Sequence, residues 1–207
     1  MKNYHIGCGY TVGKSWINID SSPIALFDQI PFFKKIFNFN KRIFPKNIIF
    51  GDITKKPLCE IGTVDNIYCS HVLEHVSYED GKKMIQNIYA MLKKGGVLRI
   101  IVPSLEARIQ RYNKDNDANN FIKSLGTCYE NENKSLLTKL RFLLGNSRHK
   151  WMYDKKSLFD ELNKVNFSFI RECEFNDSGL EIFSEIEDRN RFIENKNLKA
   201  VCFHCIK

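Results

Sequence analysis

Two glycines one residue apart, Gly7-Cys8-Gly9, stand directly behind a short stretch, about Asn3 to Ile6, that reads as a strand. Without Cβ atoms the backbone there can turn tightly and let a ligand lie against it. Asp20 ends a second strand, Ser15-Trp-Ile-Asn-Ile-Asp20. At the same sheet edge its carboxylate can accept both hydroxyls of a ribose. Only about ten residues separate Gly9 from Asp20, against roughly twenty in a dinucleotide-binding fingerprint. No full helix fits between them, so none can aim its N-terminus at a pyrophosphate. The pair suits a nucleoside bearing a zwitterion, and S-adenosylmethionine is such a ligand.

Further along, Asn47 to Phe50 reads as a third strand ending at Gly51-Asp52-Ile53. Asp52 can accept the exocyclic amine of an adenine while Ile53 packs on its face. Taken alone, Gly7-Cys8-Gly9 could be a simple bend and Asp52 a turn aspartate capping its own backbone. The case rests on three strand tips converging in order. Val64 to Ser70 is a fourth strand. Tyr78 to Lys94 reads as a helix with Asp80 as its cap and Met84, Ile85, Ile88, Tyr89 and Leu92 on one apolar face. Gly95-Gly96 is expected to stop it before a fifth strand, Val97 to Val102. Asp154 caps a helix through Leu158 and Leu162. Two last strands, about Phe167 to Glu174 and Lys199 to Ile206, have too little helix between them for a crossover and are expected to pair antiparallel.

Strands alternating with helices predict an α/β fold: a three-layer α/β/α sandwich with a seven-stranded, mostly parallel sheet and its last strand antiparallel. No repeat or linker divides the chain, so residues 1–207 are read as a single domain. Insertions at about 24–46 and 105–150 are expected to cover the site. The second carries a firm apolar face only around Leu136, Leu140, Phe142 and Leu143.

A length of 207 residues with 43% hydrophobic residues supports one full core. Seven cysteines scattered through apolar runs suit reduced, buried thiols and a cytoplasmic setting better than a disulfide framework. No signal core or membrane-spanning stretch is evident in the sequence. The net charge of +8 is spread over every segment, without arginines interleaved with aromatics, which argues against a nucleic-acid partner.

Five motifs resemble those of class I S-adenosylmethionine-dependent methyltransferases: His5-Ile-Gly-Cys-Gly9, Asn18-Ile-Asp20, Gly51-Asp52-Ile53, Tyr68-Cys-Ser-His-Val-Leu-Glu-His-Val76 and Leu92-Lys-Lys-Gly-Gly-Val-Leu-Arg-Ile-Ile-Val-Pro103. The resemblance covers about residues 2 to 104. It is closest to a type-11-like group with a shortened first loop, often encoded in surface-polysaccharide gene clusters, which also tends to carry a motif like Arg148-His149-Lys-Trp-Met-Tyr153-Asp154. The chain departs from the wider family in lacking the usual first helix, and Val165-Asn166-Phe167 stands where Ala-Gly-Phe is frequent.

The resemblance implies S-adenosylmethionine as cofactor. It places Gly7, Cys8 and Gly9 at the methionine part, Asp20 at the ribose, Asp52 and Ile53 at the adenine, and Ser70 and His71 near the methyl group. Arg148 and Tyr153 become acceptor contacts. A general base is needed only for a hydroxyl or protonated amine; His149 is the first candidate and His71 the second, since imidazole titrates near neutrality. Methyl transfer to oxygen or nitrogen of a small molecule or sugar is the expected activity, and a non-catalytic binding or scaffold protein is the alternative.

Three features invite other readings. His71-Val-Leu-Glu74-His75 matches the inverted zinc-protease signature, but it follows directly from a strand and lacks a downstream carboxylate helix. A divalent ion at Glu74 and His75 is a further option. The reading preferred is that both cap and pack the following turn, so no metal is assigned. Cys202-Phe-His-Cys205 lies on a strand, where positions three apart face opposite sides, and reads as core. Ile24 to Phe44 is basic and apolar at helical spacing; it is expected to pack on the sheet or the site, with peripheral membrane contact as the alternative.

Overall fold

The structure is a computed structural model and describes residues 1–27, 44–127, 148–194 and 198–207. β1 (Asn3–Ile6) and β2 (Ile17–Asp20) are parallel neighbours, with Tyr4 opposite Ile17 and Ile6 opposite Ile19. Asn18 closes the short connection. Its Oδ1 accepts from the Gly13 amide, and its Nδ2 donates to the carbonyls of Gly13 and Trp16. A side chain thus satisfies the loop backbone where a helix would otherwise do so.

After α1 (Pro23–Phe27), β3 (Ile48–Phe50) pairs parallel with β2. β4 (Val64–Ser70) pairs parallel with β1 and leads through a single 3-10 turn, Leu73–His75, into α2 (Tyr78–Met91). β5 (Leu92–Val102) returns parallel to β4. Then come α3 (Leu105–Asp115), α4 (Ala118–Ser124), α5 (Lys155–Lys164), β6 (Phe169–Glu172), α6 (Arg189–Phe192), β7 (Ile193–Glu194), β8 (Leu198–Lys199) and β9 (Val201–Ile206). The main sheet has the order β3-β2-β1-β4-β5-β9-β6, and only β9 runs against its neighbours. β7 and β8 form a separate antiparallel pair.

Period-two alternation sorts the core. Ile67 and Cys69 of β4, Leu98 and Ile100 of β5, and Phe203 and Cys205 of β9 join the cluster beneath α2 and α5. Tyr68, Val97, Ile101 and Cys202 join the other, with Trp16, Phe183 and Phe192. Cys202 and Cys205 therefore sit on opposite faces as buried free thiols. α2 buries Met84, Ile85, Ile88 and Met91 almost completely, and each such side chain contributes about 1.5–3 kcal/mol.

Two boundaries differ from expectation. Ser77, not Asp80, caps α2: Ser77 Oγ accepts the Asp80 amide and donates to the Asp80 carboxylate at 2.8 Å. Asp80 stands three residues in, but its carboxylate takes the Ser77 hydroxyl rather than the Ser77 amide that a capping box would use. α2 also ends at Met91, and Gly95 and Gly96 lie within the span of β5. Asp154 caps α5 as expected, in a reciprocal pair with Ser157.

Of the expected cover, residues 28–43 and 128–147 lie outside the described residues. With them go the basic positions 34, 35, 41 and 42 and the apolar positions 136, 140, 142 and 143. Among the described residues no helix is long and apolar enough to cross a membrane.

Candidate active site

The ends of β1, β2 and β4 open on a cavity of about 530 Å³ whose lining includes Gly7, Gly9, Asp20, Ser70, His71 and His75. A neighbouring cavity of about 740 Å³ holds Asp52 and Ile53 and shares Ser21 and Val72 with the first. Both volumes fall within the roughly 300–1,000 Å³ typical of small-molecule sites. Gly7, Asp20 and Asp52 thus meet along one rim, at the carboxyl ends of parallel strands.

The two glycines do different work. Both have positive φ, +65° at Gly7 and +54° at Gly9. A Cβ on Gly7 would fall 2.2 Å from Val72 Cγ2, so Gly7 is set by packing. A Cβ on Gly9 would meet nothing within 4 Å, which leaves its backbone open to a ligand. Cys8 turns the other way, into a small core with Ile24, Ala25, Phe44 and Ile48. Burial, with Asp20 nearby, pushes its thiol up to about 12, so only its backbone is available to the site.

Asp20 Oδ2 accepts from the Gly9 amide at 2.9 Å and Oδ1 from the Ser22 amide at 2.7 Å. A carboxylate has about four lone-pair sites, so these bonds aim the group without exhausting it. Asp52 Oδ1 takes both the amide and the hydroxyl of Thr54. Burial opposes its charge, but Thr54 and Lys55 hold the carboxyl below its ordinary range. Ser70 Oγ is buried with no hydrogen-bond partner among the described residues. Open backbone at Gly9, an aimed carboxylate and an orphaned hydroxyl match an adenosyl group carrying an amino acid.

β4 ends in strained backbone, with His71 at φ 55°. His71 Nε2 lies 2.9 Å from the Arg191 carbonyl and Nδ1 3.4 Å from Glu74 Oε1. Burial works against charging this imidazole, but Glu74 outweighs it and holds the His71 pKa above its ordinary value. Burial likewise works against Glu74, and His71 with His75 keeps that carboxylate below its usual range.

The remaining expected residues arrive differently. His149 is not on the cavity lining; it lies behind His75, ring centroids 5.0 Å apart, with Nδ1 on the Leu125 carbonyl at 2.7 Å. Burial lowers its pKa. Arg148 enters through its backbone, its carbonyl accepting from His75 Nδ1 at 3.0 Å. Tyr153 is placed elsewhere than expected. It is 1% exposed, packed in the core with its hydroxyl against Gly81 of α2, because a ring of that size fits where Gly81 has no side chain.

Tyr10, His75, Asp188 and Arg191 also line the cavity. His75 was detectable, standing at the same strand end as Ser70. Asp188 and Arg191 come from the start of α6, about 120 residues from His71, and no local motif marks them.

A family model described as a methyltransferase domain matches residues 8–172. No curated protein matches the chain. Among solved structures, a methyltransferase from Methanosarcina mazei described as S-adenosylmethionine-dependent is similar with a TM-score of 0.53 at 15% identity, covering 99% of this chain and 90% of that one. The YcgJ protein of Bacillus subtilis is similar with a TM-score of 0.52 at 14% identity, covering 100% and 91%. At such identities the likeness speaks for the fold, while the family match and the rim of Gly7, Asp20 and Asp52 speak for the chemistry. The chain belongs to the methyltransferase domain family and is an S-adenosylmethionine-dependent methyltransferase.

Proposed function

We propose that the chain transfers a methyl group to an oxygen or nitrogen of a small molecule or sugar, with a surface glycan or its nucleotide-linked precursor as the acceptor class. The observation that carries the methyl-transfer reading is the meeting of Gly9, Asp20 and Ser70 in one cavity beside His71. The glycan acceptor rests on the resemblance to the short-first-loop group alone.

In this reading Gly7 to Gly9 take the methionine part, Asp20 the ribose, Asp52 and Ile53 the adenine, and Ser70 and His71 flank the methyl group. When bound, S-adenosylmethionine supplies a methyl group already activated by its sulfonium. The protein's share is chiefly alignment, which accounts for several kcal/mol of barrier. His71 lies on the cavity wall, and His149 lies one ring behind the neighbouring His75; His71 and His149 are the candidate bases for an acceptor that must lose a proton.

Calorimetric titration with S-adenosylmethionine and S-adenosylhomocysteine tests the donor site, and binding of neither would leave the scaffold reading. Incubation with nucleotide sugars and simple glycans, read by mass spectrometry for a gain of one methyl group, tests the acceptor. Methylation of none of them removes the glycan proposal.

A further inference from the structure

Glu74 is a buried charge that faces His71 and His75. Its side chain is 1% exposed; neither oxygen makes a well-formed hydrogen bond, and Oε1 has only looser approaches, to His71 Nδ1 at 3.4 Å and His75 Nε2 at 3.8 Å. Buried carboxylates are normally paired and hydrogen-bonded, because leaving one unsatisfied in a dry interior is costly. What surrounds Glu74 is a set of imidazoles.

Each of those imidazoles has one nitrogen committed to a backbone carbonyl. His75 Nδ1 meets the Arg148 carbonyl, His149 Nδ1 the Leu125 carbonyl, and His71 Nε2 the Arg191 carbonyl. A carbonyl only accepts, so each of these nitrogens carries the proton. In the neutral ring the other nitrogen is then a bare lone pair. For His75 that lone pair, on Nε2, sits 3.8 Å from Glu74 Oε1. Lone pairs facing a carboxylate repel unless a cation or a proton lies between them. Fixing one ring nitrogen on a carbonyl while the other faces inward is also how metal-binding histidines are oriented.

Glu74, His75 and His149 each present a ligand atom within 4.8 Å of the others. A tetrahedral ion with bonds of about 2.0–2.1 Å holds its donors roughly 3.3 Å apart, so binding must draw the widest-spaced donors in by up to about 1.5 Å. The scaffold holds the segments together: the Lys150 amide donates to the Glu74 carbonyl at 2.6 Å, and the His149 amide to the Gly126 carbonyl at 3.1 Å. The His149 ring lies over Gly126, where a Cβ would fall 2.7 Å from Nδ1.

We infer that Glu74, His75 and His149 form a binding site for one divalent transition-metal ion. Two imidazoles and a carboxylate suit zinc, cobalt or iron rather than magnesium or calcium, which prefer all-oxygen cages. Three protein donors leave a coordination position for water or an acceptor oxygen, the arrangement of catalytic rather than structural ions. His75 belongs to the wall of the donor cavity, which puts the ion beside that cavity. This use rests on the methyl-transfer reading above; binding of the ion does not. A bound ion would lower the pKa of an acceptor hydroxyl, and so favours an oxygen acceptor over an amine.

The test uses the purified chain stripped with EDTA and titrated with Co2+, followed by visible absorption, and separately with Zn2+ by calorimetry. The expected result is one ion per chain, intense tetrahedral cobalt absorption, and a loss of affinity of about 100-fold or more in Glu74→Gln and in His149→Asn. Circular dichroism checks the fold of each variant. Should Glu74→Gln not fold, the less buried His149→Asn decides. Weak, octahedral-type cobalt absorption, or equal affinity in wild type and His149→Asn, overturns the site. Titration of the same samples with S-adenosylmethionine reports the donor cavity independently, so failure of one reading is distinguishable from failure of the other.

Discussion

The backbone amide of Gly9 donates to Asp20 Oδ2 at 2.9 Å, joining the tip of β1 to the tip of β2. The carboxylate is oriented before any ligand arrives. Asp20→Asn keeps the shape but places a donor where an acceptor is needed. Affinity for S-adenosylmethionine should fall about 10- to 150-fold, the equivalent of the 1.5–3 kcal/mol of a hydrogen bond to a charged group. Isothermal titration checks this, and a change below about twofold would show that the carboxylate does not touch the cofactor.

Alanine at the two motif glycines should separate folding from binding. Gly7→Ala meets Val72 and demands left-handed backbone, together about 2–5 kcal/mol of stability. Adding Val72→Ala should recover the steric part alone. Gly9→Ala faces open space, so stability should drop by only about 1–2 kcal/mol, while donor affinity falls because the new methyl enters the cavity. Urea melts beside calorimetry would reveal the split. Equal behaviour of the two variants contradicts it.

Arg99 is fully buried, bonded to Glu187, to Asp177 and to the Glu174 carbonyl, with its guanidinium over the rings of Phe183 and Phe192. Arg99→Met strands the Glu187 carboxylate, whose side chain is 1% exposed. The expected destabilisation is about 3–5 kcal/mol. The double variant Arg99→Met, Glu187→Met should regain much of it. Equilibrium denaturation decides; a single-variant loss below about 1 kcal/mol means the pair is not held as described.

Stability should decline in mild acid before the carboxylates titrate. Burial, aided by Arg191, lowers His5 to about 4, and burial, aided by Arg171 and Arg99, lowers His204 to about 4. The unfolded chain takes up these protons near the ordinary value of about 6.5, while the folded chain refuses them until about 4. Stability is therefore lost as pH falls through that window, on the order of 3 kcal/mol for each histidine. His71, held above its ordinary value, works in the opposite sense. Urea melts at pH 7 and pH 4.5 should show the decline, with His204→Gln losing less than the wild type; a flat profile refutes it.

The strand tips were legible because each is marked by residues whose chemistry is local: glycines where the chain turns, an aspartate where a rim begins, alternating apolar side chains between. Val64 to Ser70 reads the same in sequence and in structure for this reason. Antiparallel pairing of the last strands followed from connection length alone. The cap of α2 was misplaced by three residues because Ser77 and Asp80 bond to each other and either type can cap. Tyr153 was read as an acceptor contact from its motif, whereas its position depends on Gly81 of a different element. Asp188 and Arg191 were invisible because only the path of the chain back toward β9 brings them to the cavity. His75 stood in plain view; what could not be read was that Glu74 beside it is buried and that His149, 74 residues on, packs against the His75 ring.

β9 lies inside the sheet, hydrogen-bonded to β5 on one side and β6 on the other. During synthesis β5 and β6 are thus both made before the segment that joins them, leaving β5 with a bare edge and β6 with no sheet partner until β9 arrives. A chain stopped short of residue 201 would leave the β5 edge unpaired and β6 without a strand to join, and an unpaired edge is a template for pairing with another chain.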